Sequence, residues 1–201
     1  MNILKKFRIG ILVAAVLAGI GVYALVDGIR FAAAVPEDFA RSRQAGALIS
    51  QDIVSLTGSI SSDLTAINEL DKEGKYEEAL KLAQTAIDRS RDVRAKAVDL
   101  SKEMETMARL LPDIKSDSAR EAAMQGISNR LVLIARLINY STYLNNLLAT
   151  LQDKFKVGYT ITPVAPIIVQ INNEVAAINE FNKNASVAME KFDAIVAGQQ
   201  K

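Results

Sequence analysis

Cysteine, histidine and tryptophan are absent from the 201 residues, and aromatic side chains make up only 5%. Without cysteine no disulfide can form, and without cysteine or histidine the usual zinc, haem and iron–sulfur ligand sets cannot be assembled. The same absence removes Ser-His-Asp and Cys-His nucleophilic systems and the Glu-x-x-His pattern of carboxylate di-metal bundles. No P-loop and no Ser-x-x-Lys occurs. Paired carboxylates remain, but Glu69, Asp71 and Glu73 fall at a polar helix end, where charge is the ordinary pattern. The chain therefore reads as non-enzymatic, with no cofactor and no metal.

Proline and glycine are also scarce, at four and ten residues. Few breakers, few aromatics and 50% apolar residues imply an aliphatic core built from long helices rather than a sheet. An excess of either sign of charge is missing too. Four of the 24 basic residues (Lys5, Lys6, Arg8, Arg30) and one of the 23 acidic ones (Asp27) lie in the first 35 positions, leaving 20 against 22 beyond them. With no basic stripe, nucleic acid is not an expected partner.

What is present begins with an uncharged apolar run, Ile9 to Val26, preceded by Lys5, Lys6 and Arg8. As a helix of about 1.5 Å per residue it matches the hydrocarbon core of a bilayer, so the lipid bilayer is the expected partner of residues 9–26. The basic flank places Met1 in the cytoplasm and the remainder across the membrane. The run exceeds the h-region of about 7–15 residues usual in signal peptides, so it reads as a retained signal-anchor. Cleavage at Val22-Tyr23-Ala24 or Ala32-Ala33-Ala34 is the alternative, which makes the product secreted. Gly10, Ala14, Ala18 and Gly21 share one face and form a candidate packing surface between anchors.

Residues 36–201 then read as an extracytoplasmic domain of four helices, about 36–72, 75–111, 117–156 and 163–197. The first opens at Pro36 with Glu37 and Asp38 and carries Ile49, Ile53, Leu56, Ile60, Leu64 and Ile67 at three- and four-residue steps, with Gly74 as terminator. The second follows Tyr76, Ala79, Ala83, Ala86, Ser90, Val93, Ala97, Leu100, Met104, Met107 and Leu111, with Glu77–Lys81, Asp92–Lys96 and Glu105–Arg109 as outer-face pairs. Pro112 closes it. Ser118-x-x-Glu121 reads as a capping box for the third helix, whose seam includes Ile127, Ile134, Leu137, Ser141, Leu144, Leu148, Leu151 and Phe155. The fourth starts at Thr162-Pro163 and follows Val164, Ile168, Ile171, Val175, Ile178, Ala185, Met189, Phe192 and Val196, interrupted by Asn182. Helices of about 35–40 residues with short connections predict an all-α fold, an N-terminal transmembrane helix followed by an antiparallel up-down four-helix bundle. Leu131 to Leu151 is apolar enough to resemble a second span, but Arg136, Asn139, Asn145 and Asn146 are costly in hydrocarbon.

Two features point to an interaction, scaffold or assembly role with a protein partner or in a homo-oligomer. Between Glu121 and Asp153 the third helix has only Arg130 and Arg136 as charges, and a ridge of Arg136, Tyr140, Tyr143 and Leu147 offers residue types that anchor interfaces. Packing of that ridge against a neighbouring helix is the alternative. The second feature is the loop after the third helix, where Val157, Tyr159 and Ile161 stand in place of polar turn residues as a candidate contact at the distal tip. The other function reading is a ligand-sensing bundle without its own output domain, for which the small side chains Ala79, Ala83, Ala86 and Ser90 leave room.

Overall fold

The computed structural model describes residues 35–158 and 163–198. The anchor with its face of Gly10, Ala14, Ala18 and Gly21 lies outside the described residues, as do Tyr159 and Ile161 of the tip loop. The described residues form four helices and no strand: α1 Glu37–Lys72, α2 Tyr76–Arg109, α3 Asp117–Val157 and α4 Val164–Gly198. Their lengths are 36, 34, 41 and 35 residues. Among the described residues no helix is long and apolar enough to cross a membrane, the Leu131–Leu151 stretch of α3 included.

The helix ends follow from local chemistry. Pro36 sits just ahead of α1, and Arg41 pairs with both Glu37 and Asp38 in the first turn. Gly74 ends that helix in the left-handed region at φ +72°, which lets the Lys75 amide donate back to the Leu70 carbonyl at 2.9 Å. Pro112 lies in a short 3-10 turn, Leu111–Asp113, followed by the buried plug Ile114. The cap of α3 is Ser116, not Ser118: the Ser116 hydroxyl accepts the Ala119 amide at 3.2 Å. Serine two residues earlier wins because its backbone is extended while Ser118 is already inside the first turn.

Pairs between helices show that consecutive helices run antiparallel and adjacent. Asp52 meets Lys96 and Asp63 meets Arg89 across α1 and α2; Ser90 meets Ser141 across α2 and α3; Arg136 meets Glu174 across α3 and α4. The last helix returns to the first at the end that holds Val35 and Ile114, here termed the base. There Phe39 and Phe192 pack with ring centroids 5.6 Å apart. The opposite end, the tip, holds Gly74 and Gly158.

One continuous core runs through all four helices. Each fully buried Leu or Ile adds about 1.5–3 kcal/mol, so this seam dominates the fold's stability. The heptad positions expected on α2 from Ala79 to Met107 are buried, while Tyr76 and Leu111 at its ends are not. Ala79, Ala83 and Ala86 are each 0% exposed, so these small side chains bring helices close together. On α1 the buried line runs Phe39, Ser42, Gly46, Ser50, Ile53, Thr57, Ile60, Leu64 and Ile67, with Ile49 and Leu56 displaced to its edge. Two hydroxyls on that line return to their own helix, Ser50 to the Gly46 carbonyl at 2.8 Å and Thr57 to Ile53 at 2.7 Å, so their burial leaves neither donor unmet. Asn182 sits at the seam's edge, half-buried, rather than at its centre.

Candidate functional site

The ridge expected to meet a partner is turned into the bundle at Tyr140 and Leu147 and lies at the bundle's edge at Arg136 and Tyr143. Tyr140 is 3% exposed and Leu147 1%, and Tyr143 packs half-buried against the same core. Arg136 turns toward α4, with its guanidinium 3.5 Å from the Glu174 carboxylate, which is itself buried. Aromatic and basic residue types were the signal in the sequence, but Tyr140 lies directly beside the core position Ser141, and its ring joins the same seam. Burial raises the pKa of the Tyr140 phenol well above its ordinary value. These four residues hold α3 against its neighbours.

The face of α3 that does meet solvent is a different one. Met124, Ser128, Leu131, Ala135, Asn139, Thr142, Asn146 and Ala149 are all exposed, and they recur at steps of four and three. They form a second seam, parallel to the buried one, about seven turns long at 3.6 residues per turn. No charged residue falls on it. The two charges within this stretch, Arg130 and Arg136, are only half-buried members of the flanks. By contrast the outer surfaces of α1 and α2 carry the ion pairs Arg91–Asp88, Lys102–Asp99 and Lys96–Asp52. Lys96 reaches across to Asp52 of α1 at 2.5 Å rather than settling on Asp92 of its own helix, and that hydrogen bond raises its pKa.

At the tip, Val157 is 60% exposed, as a contact residue requires. Gly158 follows it at φ +84°, its amide donating to the Lys154 carbonyl at 2.8 Å. Lys154 binds Asp71 at 2.7 Å and so pins the end of α3 to the end of α1. Tyr76 stacks on Phe155 with centroids 5.9 Å apart while 44% exposed. Val169, in the second turn of α4, is 57% exposed. Apolar side chains thus reach solvent from three helices near this end.

At the base lies a cavity of about 30 Å³ bordered by all four helices. Its walls include Met104, Met107 and Met189, with Arg43, Arg130 and Ser186 as polar members. A second, wider depression of about 370 Å³ lies between α1 and α2 beside Asp52, Asp92, Asp99 and Lys96. Among the described residues no group of three or more carboxylates is arranged to hold a metal ion. Set against known proteins, the chain matches no family model, no curated protein and no solved structure.

Proposed function

We propose that this chain is a non-enzymatic membrane protein, tethered through residues 9–26, whose helical bundle acts outside the cytoplasm as an interaction or assembly module. The tether and its orientation rest on the uncharged run behind Lys5, Lys6 and Arg8. The interaction role rests on one observation, the uncharged seam from Met124 to Ala149 on α3. A solvated helix face normally carries charges opposite the core. Here apolar anchors (Met124, Leu131) alternate with small and amide side chains at the spacing that meshes with another helix. Ala135 and Ala149 let a partner backbone approach, and Asn139, Thr142 and Asn146 supply hydrogen bonds along the contact.

The absence of native cysteine makes a direct test clean. A single cysteine placed at Ala135 or Thr142 of the full-length protein is expected to crosslink to a partner helix in intact membranes, while one at Lys102 on the outer face of α2 is not. Ala135→Glu should abolish recovery of the partner after mild detergent extraction without altering helicity. Equal crosslinking from both faces, or none from either, rejects the seam as an interface. A topology reporter fused after Lys201 that is active only in the cytoplasm rejects the orientation.

A further inference from the structure

The cavity at the base carries an electrostatic imbalance that the bundle's own packing does not resolve. Two arginines border it, from α1 and α3. Arg43 is committed to Asp193 of α4 through hydrogen bonds of 2.6 and 2.8 Å. Arg130 forms no hydrogen bond or ion pair among the described residues, and the charge that acts on it is the like charge of Arg43. Burial, with that neighbour adding to it, lowers the Arg130 pKa from its ordinary value. A partly buried guanidinium without a counter-charge is costly, and it is the side chain best shaped to take a carboxylate through two parallel N–H bonds.

The rest of the wall narrows the ligand. Ser186 adds a hydroxyl, whereas Met104, Met107 and Met189 present thioether chains that are apolar and easily rearranged. A phosphate dianion needs more donors than one free guanidinium and one hydroxyl. A cavity of about 30 Å³ is about the space of two waters, so it takes only the end of a short alkyl chain, with the charged head left at the mouth beside Arg130. Arg130 is half-buried, so solvent reaches it.

We propose that this cavity is a binding site for a short aliphatic monocarboxylate, with its carboxylate on Arg130 and Ser186 and its alkyl tail among the three methionines. The site is independent of the α3 seam, whose residues do not border it.

The chain's five methionines provide the readout. Full-length protein carrying 13C-methyl methionine is titrated with acetate, propionate and butyrate at constant ionic strength, with sodium chloride and butyramide as controls. The methyl signals of Met104, Met107 and Met189 are expected to shift saturably with the carboxylates, while exposed Met124 stays in place. Arg130→Leu should weaken binding roughly tenfold or more, the loss expected of a charge-assisted contact. Arg130→Lys, which keeps the charge but loses the planar fork, should bind measurably more weakly than the parent and tests the same point if the leucine variant does not fold. Equal shifts with chloride or with butyramide overturn the proposal, as does carboxylate binding unchanged in either Arg130 variant, or an absence of any shift at the three methyls.

Discussion

Arg43 and Asp193, separated by 150 positions, clamp α1 to α4 through two charge-assisted hydrogen bonds of 2.6 and 2.8 Å. The Arg43 guanidinium also lies 5.9 Å from the centroid of Phe192, whose ring packs on Phe39. Side-chain exposures of 22% and 14% place the pair largely out of water. Asp193→Ala is therefore expected to cost about 2–3 kcal/mol in urea unfolding, because it strips the carboxylate from a buried guanidinium. Replacing both residues with Leu should cost less than that single change. A loss below about 0.5 kcal/mol for Asp193→Ala, the level of an exposed pair, contradicts the clamp.

Tyr140 separates a packing role from a partner-binding role. Its ring is buried, so Tyr140→Ala should lower stability by about 3–4 kcal/mol whether or not any partner is present. Tyr140→Phe should be nearly neutral at pH 7, since the hydroxyl makes no hydrogen bond among the described residues. The parent and this variant should diverge in alkali. The folded chain holds the phenol protonated well above its usual value, whereas the unfolded chain releases that proton near pH 10. Above that pH the unfolded state binds fewer protons, so this residue should lower stability by about 1.4 kcal/mol per pH unit. If the parent and the Tyr140→Phe variant lose stability equally between pH 9 and pH 11, the phenol is not buried.

Helix number, order and boundaries were legible because seams such as Ala79 to Met107 repeat at strict three- and four-residue steps and glycine or proline marks each break. Register on α1 was harder to read. Its buried line passes through Ser42, Gly46, Ser50 and Thr57, and a hydropathy pattern weights Ile49 and Leu56 above them, although small and self-bonded side chains are what allow close approach. The candidate site was half legible. The charge deficit between Glu121 and Asp153 marked the helix that carries the proposed seam, but tyrosines drew attention to a face that the bundle uses itself. Once the buried seam is assigned, the remaining uncharged positions at the same spacing, Met124 to Ala149, follow from helical periodicity alone. The base cavity has no linear signature, since Arg43 and Arg130 come together only when α1 and α3 face each other across the bundle.

At the centre of the α2–α3 interface the Ser90 and Ser141 hydroxyls lie 2.9 Å apart, and Ser141 donates to the Ser90 carbonyl at 2.8 Å. Both residues are essentially fully buried. Ser141→Ala should cost about 1 kcal/mol by leaving its partner less well satisfied. The double change Ser90→Ala with Ser141→Ala should cost no more than either single change, because it removes both polar groups and adds two better helix formers. Strict additivity in denaturant unfolding would show that the hydroxyls do not interact.

Two glycines that border or support the base cavity should respond to alanine in opposite ways. A methyl group at Gly126 falls 2.7 Å from the Met189 sulfur and 3.0 Å from its Cγ, too close for the thioether to stay where it is. At Gly46 the nearest atoms are the terminal Met104 methyl at 3.2 Å and a Leu100 methyl at 3.3 Å, which need yield only a few tenths of an ångström. Alanine gains about 1 kcal/mol over glycine in a helix interior, while forced overpacking costs about 1–3 kcal/mol. Overpacking wins at Gly126, where the clash reaches the middle of a side chain, so Gly126→Ala should lower stability by about 1 kcal/mol. Propensity wins at Gly46, where only side-chain ends must move, so Gly46→Ala should be neutral or gain a few tenths. Adding Met189→Ala to Gly126→Ala relieves the contact and should cost less than the two single changes together. The same sign of effect at both glycines, measured by thermal or urea unfolding, contradicts the close approach of α4 to α3 at this level.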